Sequence, residues 1–531
     1  MEIFGTGFLL WCSVAVNAVV VATASPALIL TPYIKKNETE KARNLSSVDK
    51  GQFLNVVSYS GYITVDERYN SNLFFWYFPV PDQNVTETPW IIWLQGGPGV
   101  TSLAGLFEEI GPFEYETKLK LRNTSWGKGH SLLFIDNPVG TGFSFTDSDK
   151  GFIQNMDECS EHLYNFLQQF MTIFPELRKA PLYIAGESYA GRYVPAFAYK
   201  ILQMKKMQRD DPINLQGLML GNPVFNRKEI VDYTRIYYQW GLIDSQGVLA
   251  VKSLQDAYVQ AINANDYILA NHLRNQLLDK LDEMAMLQQS YNILKDNINV
   301  SGFMSFVDQD EIKEAIHVGD IVYEFANGTV HQKLIPDFLK DSTPKIQALL
   351  ENYRILIYCG QLDLVAPCVL SAEGRRRSWY WSQRENFLTA TRIPWRYNDS
   401  VAGYVKSGGR LTEVLVRGAG HLVPIDKPEQ AQKLISYFIR DLPFRKPQNF
   451  HVQDSSNGTI ENVVELPENG KVTYYYSAAG LIASVIINVI FVFVIVGGVL
   501  YYLRYKRRST TYFYEVADED SSITDGILTM T

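Results

Sequence analysis

Residues Leu182–Ala196 read LYIAGESYAGRYVPA. An apolar run, Pro181–Ala185, stops at Gly186-Glu187-Ser188-Tyr189-Ala190-Gly191, and the chain then resumes in apolar and aromatic residues. A short buried strand, a tight glycine turn with serine at its apex and a following helix make a nucleophile elbow. Such a turn lifts the Ser188 hydroxyl clear of the strand ends. Ala190 stands where the simpler Gly-x-Ser-x-Gly pattern has its second glycine, with Gly191 just beyond. In isolation the same residues describe an ordinary glycine-rich turn, so the surrounding chain has to decide.

The flanks supply an α/β pattern. Phe53–Ile63 and Asn72–Val80 are rich in branched and aromatic residues, as strands are. Pro89-Trp90-Ile91-Ile92-Trp93-Leu94 and Ser131–Ile135 are short, continuously apolar runs of the type buried on both faces of a sheet. Leu215–Leu220, Ile355–Tyr358 and Glu413–Val416 add further short strands, and Met156–Phe170 carries Leu163, Phe166, Leu167 and Phe170 at helical spacing. The expectation is an α/β-hydrolase fold, a mostly parallel central sheet covered by helices. Residues 241–343 are charged, rich in Gln, Asn and Met, and helical in pattern, with Leu249–Asn263 and Asp266–Gln288 as candidate helices. They read as a helical cap inserted between core parts at 51–240 and 344–443.

An elbow serine needs a base, and the base needs an orienting carboxylate. In the hydrolase order Ser, acid, His, the acid is Asp363, which follows the strand Ile355–Tyr358 in Cys359-Gly360-Gln361-Leu362-Asp363. The base is His421, in Gly418-Ala419-Gly420-His421-Leu422-Val423-Pro424 after the strand-like Glu413–Val416. His130, His317 and His331 lack such flanks. Attack on an amide also needs donors for the developing oxyanion. The N–H of Tyr189, after the nucleophile, is one, and the N–H of Gly97 in Gln95-Gly96-Gly97-Pro98-Gly99 is the other. With no His-Glu-x-x-His and no paired Cys-x-x-Cys, neither a metal nor an organic cofactor is implied.

The 531 residues carry a formal charge of -8, which argues against a nucleic-acid partner, and are 46% hydrophobic, enough for a large core. Phe8–Ala22 followed by Ala22-Thr23-Ala24 reads as a signal segment, 1–24, and 25–50 as a loose mature N-terminus. Residues 444–477 read as a polar stalk. Residues 478–500 hold no charge and are long enough to span a bilayer, and Arg504-Tyr505-Lys506-Arg507-Arg508 follows at the start of a tail, 501–531. A single-pass type I membrane protein is expected, with its catalytic part lumenal or extracellular, in the Golgi, endosome, lysosome or at the cell surface. Eight glycosylation sequons, at Asn37, Asn44, Asn84, Asn123, Asn299, Asn327, Asn398 and Asn457, all precede that span. Of the cysteines outside the signal segment, Cys359 and Cys368 flank a short loop and are the preferred bridge, which leaves Cys159 single.

These segments resemble the serine carboxypeptidase family, peptidase family S10, and most of all its animal vitellogenic-like branch. The resemblance rests on Trp93–Gly99, Glu109-Ile110-Gly111-Pro112, Asp136–Ser144, the Ser188 motif, Gly221-Asn222-Pro223, the Asp363 segment and Gly420–Pro424, in family order from Val57 to Phe438. It implies an exopeptidase that binds peptides or proteins by their free C-terminus, with homodimers allowed. Carried over by position, Gln95, Glu109 and Glu187 bind the substrate carboxylate, Trp93 shapes that site, and Leu422 lines the pocket of the leaving residue. Most members have Asn where Gln95 stands, and often Met where Leu422 stands. Two glutamates beside a third carboxylate must share protons, so an acidic preference is expected. A lipase or esterase would use the same triad without needing these glutamates, and a non-catalytic relative would have lost the triad.

Overall fold

The computed structural model describes residues 26–208, 212–226, 230–297, 302–338 and 340–444. All of them fall within one compact unit, Met1–Gln448. Its strands are β1 Tyr59–Asp66, β2 Ser71–Phe78, β3 Trp90–Leu94, β4 Phe113–Tyr115, β5 Leu119–Leu121, β6 Ser131–Ile135, β7 Leu182–Glu187, β8 Leu215–Gly221, β9 Arg354–Gly360, β10 Ile393–Tyr397, β11 Ser400–Gly408 and β12 Leu411–Val416. Ten form one sheet in the order β1-β2-β6-β3-β7-β8-β9-β12-β11-β10, and β4 with β5 forms a separate ribbon. The run β6-β3-β7-β8-β9-β12 is parallel, with antiparallel strands at both edges.

The apolar run of β3 shows why the sheet has two covered faces. Trp90, Ile92 and Leu94 enter one core cluster and Ile91 and Trp93 the other, as the two-residue side-chain period of a strand requires. The helix Met156–Ile173 is capped by Asn155, whose side chain accepts from the N–H groups of Asp157 and Glu158. It lays Leu163, Phe166, Leu167 and Phe170 on the first cluster. The helix Ala190–Met207 packs beside it. Between β8 and β9 the chain makes the helical insertion, dominated by the paired helices Ser245–Ala264 and Tyr267–Ala285. Because the central strands are parallel, their C-terminal ends share one edge of the sheet. The segments after β3, β7, β8, β9 and β12 therefore converge there.

Two expectations need correction. The type I membrane anchor is not supported: among the described residues no helix is long and apolar enough to cross a membrane. The segment 478–500 lies outside the described residues, and apolar length is a requirement for a span rather than a demonstration of one. The single-pass topology and the membrane location rested on that segment and find no support among the described residues. Residues 1–24, 445–477, 501–531, Asn299 and Asn457 also lie outside the described residues. Residues 26–50, expected to be loose, carry the short helices Thr31–Lys35 and Thr39–Leu45, with Leu30 and Ala42 fully buried. Backbone bridges of Ile29 with Tyr62 and of Ser47 with Tyr59 also fasten this segment to β1. Finally, the hairpin β10–β11 turns at Asn398-Asp399, both with positive φ (45° and 60°), as a tight two-residue turn demands.

Candidate active site

Ser188 leaves β7 at φ 58°, in the left-handed region that costs a side-chain-bearing residue about 1–2 kcal/mol. Backbone hydrogen bonds hold it there: its N–H donates to Gly221 O (2.9 Å), and its carbonyl accepts from Gly191 N (3.0 Å) and Val224 N (3.0 Å). The helix Ala190–Met207 starts just beyond, directing its positive end at the turn. The glycine loop after β3 presses against this elbow. A Cβ on Gly96 would lie 2.8 Å from both Ser188 Cβ and Tyr189 N, and Gly97 has φ 105°. The loop carrying the Gly97 N–H and the Tyr189 N–H are thereby brought to the same turn.

The expected acid and base, Asp363 and His421, meet after β9 and β12. Asp363 Oδ2 lies 2.8 Å from His421 Nδ1, with both side chains buried. A carboxylate can only accept, so Nδ1 carries the hydrogen and Nε2 keeps its lone pair. Asp363 is held from three further sides. Oδ1 accepts from Val365 N (2.7 Å) and Ala366 N (3.1 Å), and Oδ2 accepts from Asn222 Nδ2 (2.5 Å). Asn222 sits at φ 41° and its Oδ1 accepts from Gly360 N (3.2 Å). It follows Gly221, whose carbonyl holds Ser188, so one buried amide links the elbow to the acid. The disulfide Cys359–Cys368 closes the loop that bears Asp363, and Cys159 is free and buried.

Beside the elbow lies a buried relay of Trp93, Gln95, Glu109 and Glu187. The Trp93 indole N–H donates to Gln95 Oε1 (2.7 Å), which turns Gln95 Nε2 toward Glu109 Oε1 (3.1 Å) and Glu187 Oε1 (3.3 Å). Indole is a donor only, so this orientation of the amide is dictated. The Oε2 atoms of both glutamates are buried with no other partner, and the two carboxyls can hydrogen-bond each other only with a proton between them. Burial pushes Glu109 up to about 7. Glu187 is raised well above the usual carboxylate range by burial and then by the charge of Glu109. Glu109 ends the π-helix Gly105–Glu109, whose wide turn aims it inward.

Further residues were not apparent in the sequence alone. Asp136, fully buried, accepts from Thr101 Oγ1 (2.6 Å), Ser102 N (2.8 Å) and Phe143 N (2.9 Å). It thus pins the glycine loop from beneath, and burial raises its pKa to about 6. Its only signal was membership of the Asp136–Ser144 segment. Tyr291, from the helical insertion, touches the His421 ring, and nothing in its sequence context marked it. Leu422 is half-buried and opens the short helix Val423–Asp426. The sequon residues Asn37, Asn44, Asn84, Asn123 and Asn398 are exposed, whereas Asn327 is half-buried with its N–H on Gly99 O (2.9 Å). Among the described residues no group of three or more His, Cys, Asp or Glu is arranged to hold a metal ion.

Fold and site define a serine hydrolase of the α/β-hydrolase class. Residues 49–441 match the profile described as serine carboxypeptidase, and the chain belongs to that family. It is 39% identical to the vitellogenic carboxypeptidase of Aedes aegypti over 77% of this chain and 89% of that one. It is 37% identical to the venom serine carboxypeptidase of Apis mellifera over 78% and 91%. Among solved structures it resembles Kex1(delta)p, a prohormone-processing carboxypeptidase from Saccharomyces cerevisiae, with a TM-score of 0.67 and 25% identity over 75% of this chain and 96% of that one. The chain is a serine-type carboxypeptidase.

Proposed function

We propose that the protein removes C-terminal amino acids from peptides by an acyl-enzyme route, most efficiently at acidic pH, in an oxidising lumenal compartment. The observation that carries this reading is the buried Gln95–Glu109–Glu187 relay against the Ser188 elbow. Ser188 Oγ attacks the last peptide carbonyl while His421 Nε2 takes its proton, and Asp363 orients the ring. The Gly97 and Tyr189 N–H groups receive the oxyanion. His421 then protonates the leaving amine; water next attacks the acyl carbonyl while His421 takes its proton, and His421 returns that proton to Ser188 Oγ as the shortened peptide leaves.

The relay gives the pH sense. A substrate carboxylate needs donors, and Glu109 and Glu187 donate only while they retain protons. As pH rises through their raised pKa values the pair gains charge and repels the substrate terminus, so binding weakens. The disulfide and the exposed sequon residues support the lumenal assignment.

The test is release of the C-terminal residue from N-blocked dipeptides between about pH 4 and about pH 8, with Ser188→Ala as control. Expected are an acidic optimum, loss of release when the substrate C-terminus is amidated, and no release by the variant. Equal turnover of amidated and free substrates would defeat the reading.

A further inference from the structure

The loop that follows the helix Tyr267–Ala285 leaves the helical insertion and runs between the two loops that carry the acid and the base. Three backbone hydrogen bonds fasten it: Ile293 N to Leu362 O (3.2 Å), Leu364 N to Ser290 O (3.0 Å) and His421 N to Tyr291 O (2.6 Å). The first two fall on either side of Asp363, and the third falls on His421 itself. Side chains repeat the pattern. Asp426 Oδ2 accepts from Asn292 Nδ2 (2.8 Å) and from Gly420 N (2.6 Å), and Lys295 pairs with the other oxygen. Gly420 allows the approach, since a Cβ there would lie 2.1 Å from Tyr291 O.

The Tyr291 ring stands perpendicular to the His421 imidazole, at 87° with centroids 5.2 Å apart. It is still 38% exposed, so it is not core filling. Tyr291 thus holds His421 twice, by its carbonyl on the backbone N–H and by its ring on the imidazole.

The geometry points to Ser290–Ile293 as a clasp, supplied by the insertion, that positions the acid–base pair, with Tyr291 as the positioning residue that holds the His421 ring. This rests on the reading of Ser188, Asp363 and His421 as the catalytic triad. The insertion would then do more than cover the cleft: the alignment of Asp363 and His421 depends on its being seated. A misplacement of about 1 Å at such a pair is worth up to about a hundredfold in rate.

The experiment compares Tyr291→Ala, Tyr291→Leu and Tyr291→Phe with the wild type and Ser188→Ala, all in the full chain. Two readouts are taken: kcat and KM for an N-blocked dipeptide, and the rate at which a small fluorophosphonate labels Ser188. The second uses no substrate carboxylate. For Ala and Leu, kcat and the labelling rate should fall about tenfold or more with KM within about twofold, while Phe stays near wild type. The Leu variant keeps apolar bulk and decides the matter if the Ala variant does not fold. A rise in KM alone, with labelling unchanged, would make Tyr291 a substrate-pocket wall and overturn the proposal, as would no change at all. If the wild type labels at Ser188 but releases no amino acid, the carboxypeptidase reading fails while the labelling series still decides the clasp. A wild-type Ser188 inert to the fluorophosphonate would overturn both.

Discussion

At the scale of single residues the site is a set of constraints on protons. The strand end that presents Ser188 also buries its neighbour Glu187, which on the proposed reading lets a protonated carboxyl face a substrate terminus. Glu187→Gln keeps a donor but cannot ionise. Its kcat/KM should change little at acid pH and rise toward pH 8, where the wild-type pair is charged, so the ratio of acid to alkaline kcat/KM drops by about tenfold. A parallel profile for variant and wild type would show that the pair does not set the pH response. Asn222 makes a second prediction. Asn222→Ala removes one of two partners from Asp363 Oδ2. A fall in kcat of about tenfold with KM unchanged is expected in steady-state kinetics.

At the scale of elements, the π-helix Gly105–Glu109 and the loop Cys359–Cys368 carry most of the local design. Glu109 stands at the end of that irregular turn and accepts from Gln95 Nε2. The disulfide joins positions nine residues apart, and closing so short a loop restrains the unfolded chain by about 2–3 kcal/mol. A Cys359→Ser, Cys368→Ser double variant should unfold at a correspondingly lower urea concentration. An unchanged midpoint would mean that the Asp363 loop is held by Asn222 and the Ser290–Ile293 segment alone.

For the whole molecule the buried acids set a pH trend in stability. Glu109, Glu187 and Asp136 all have pKa values raised in the fold. Between their unfolded values, about 4, and their raised folded values, the native state binds more protons than the unfolded chain. Stability is therefore greatest below that window and declines as pH rises through it. The melting temperature at about pH 5 should exceed that at about pH 8 by about 2 °C or more, and Glu109→Gln with Glu187→Gln should shrink the difference. A melting temperature rising toward pH 8 would contradict the buried shared proton.

What the sequence by itself determined is whatever depends on local pattern. The runs Trp90–Leu94 and Ser131–Ile135 have the pattern of doubly covered strands, and the serine turn after Pro181–Ala185, read with its flanks, fits presentation at a strand end. The expected order Ser188, Asp363, His421 rested on strands and loops readable one at a time. An apolar run alone did not establish a membrane span at 478–500, because apolarity over that length is compatible with more than one environment. Only the tertiary structure decided which distant groups meet in a hydrogen bond. Asn222 reached Asp363, Asp136 reached the glycine loop and Tyr291 reached His421 through pairings between segments far apart in the chain. Each depends on backbone placement within a few ångströms, and no local periodicity encodes that.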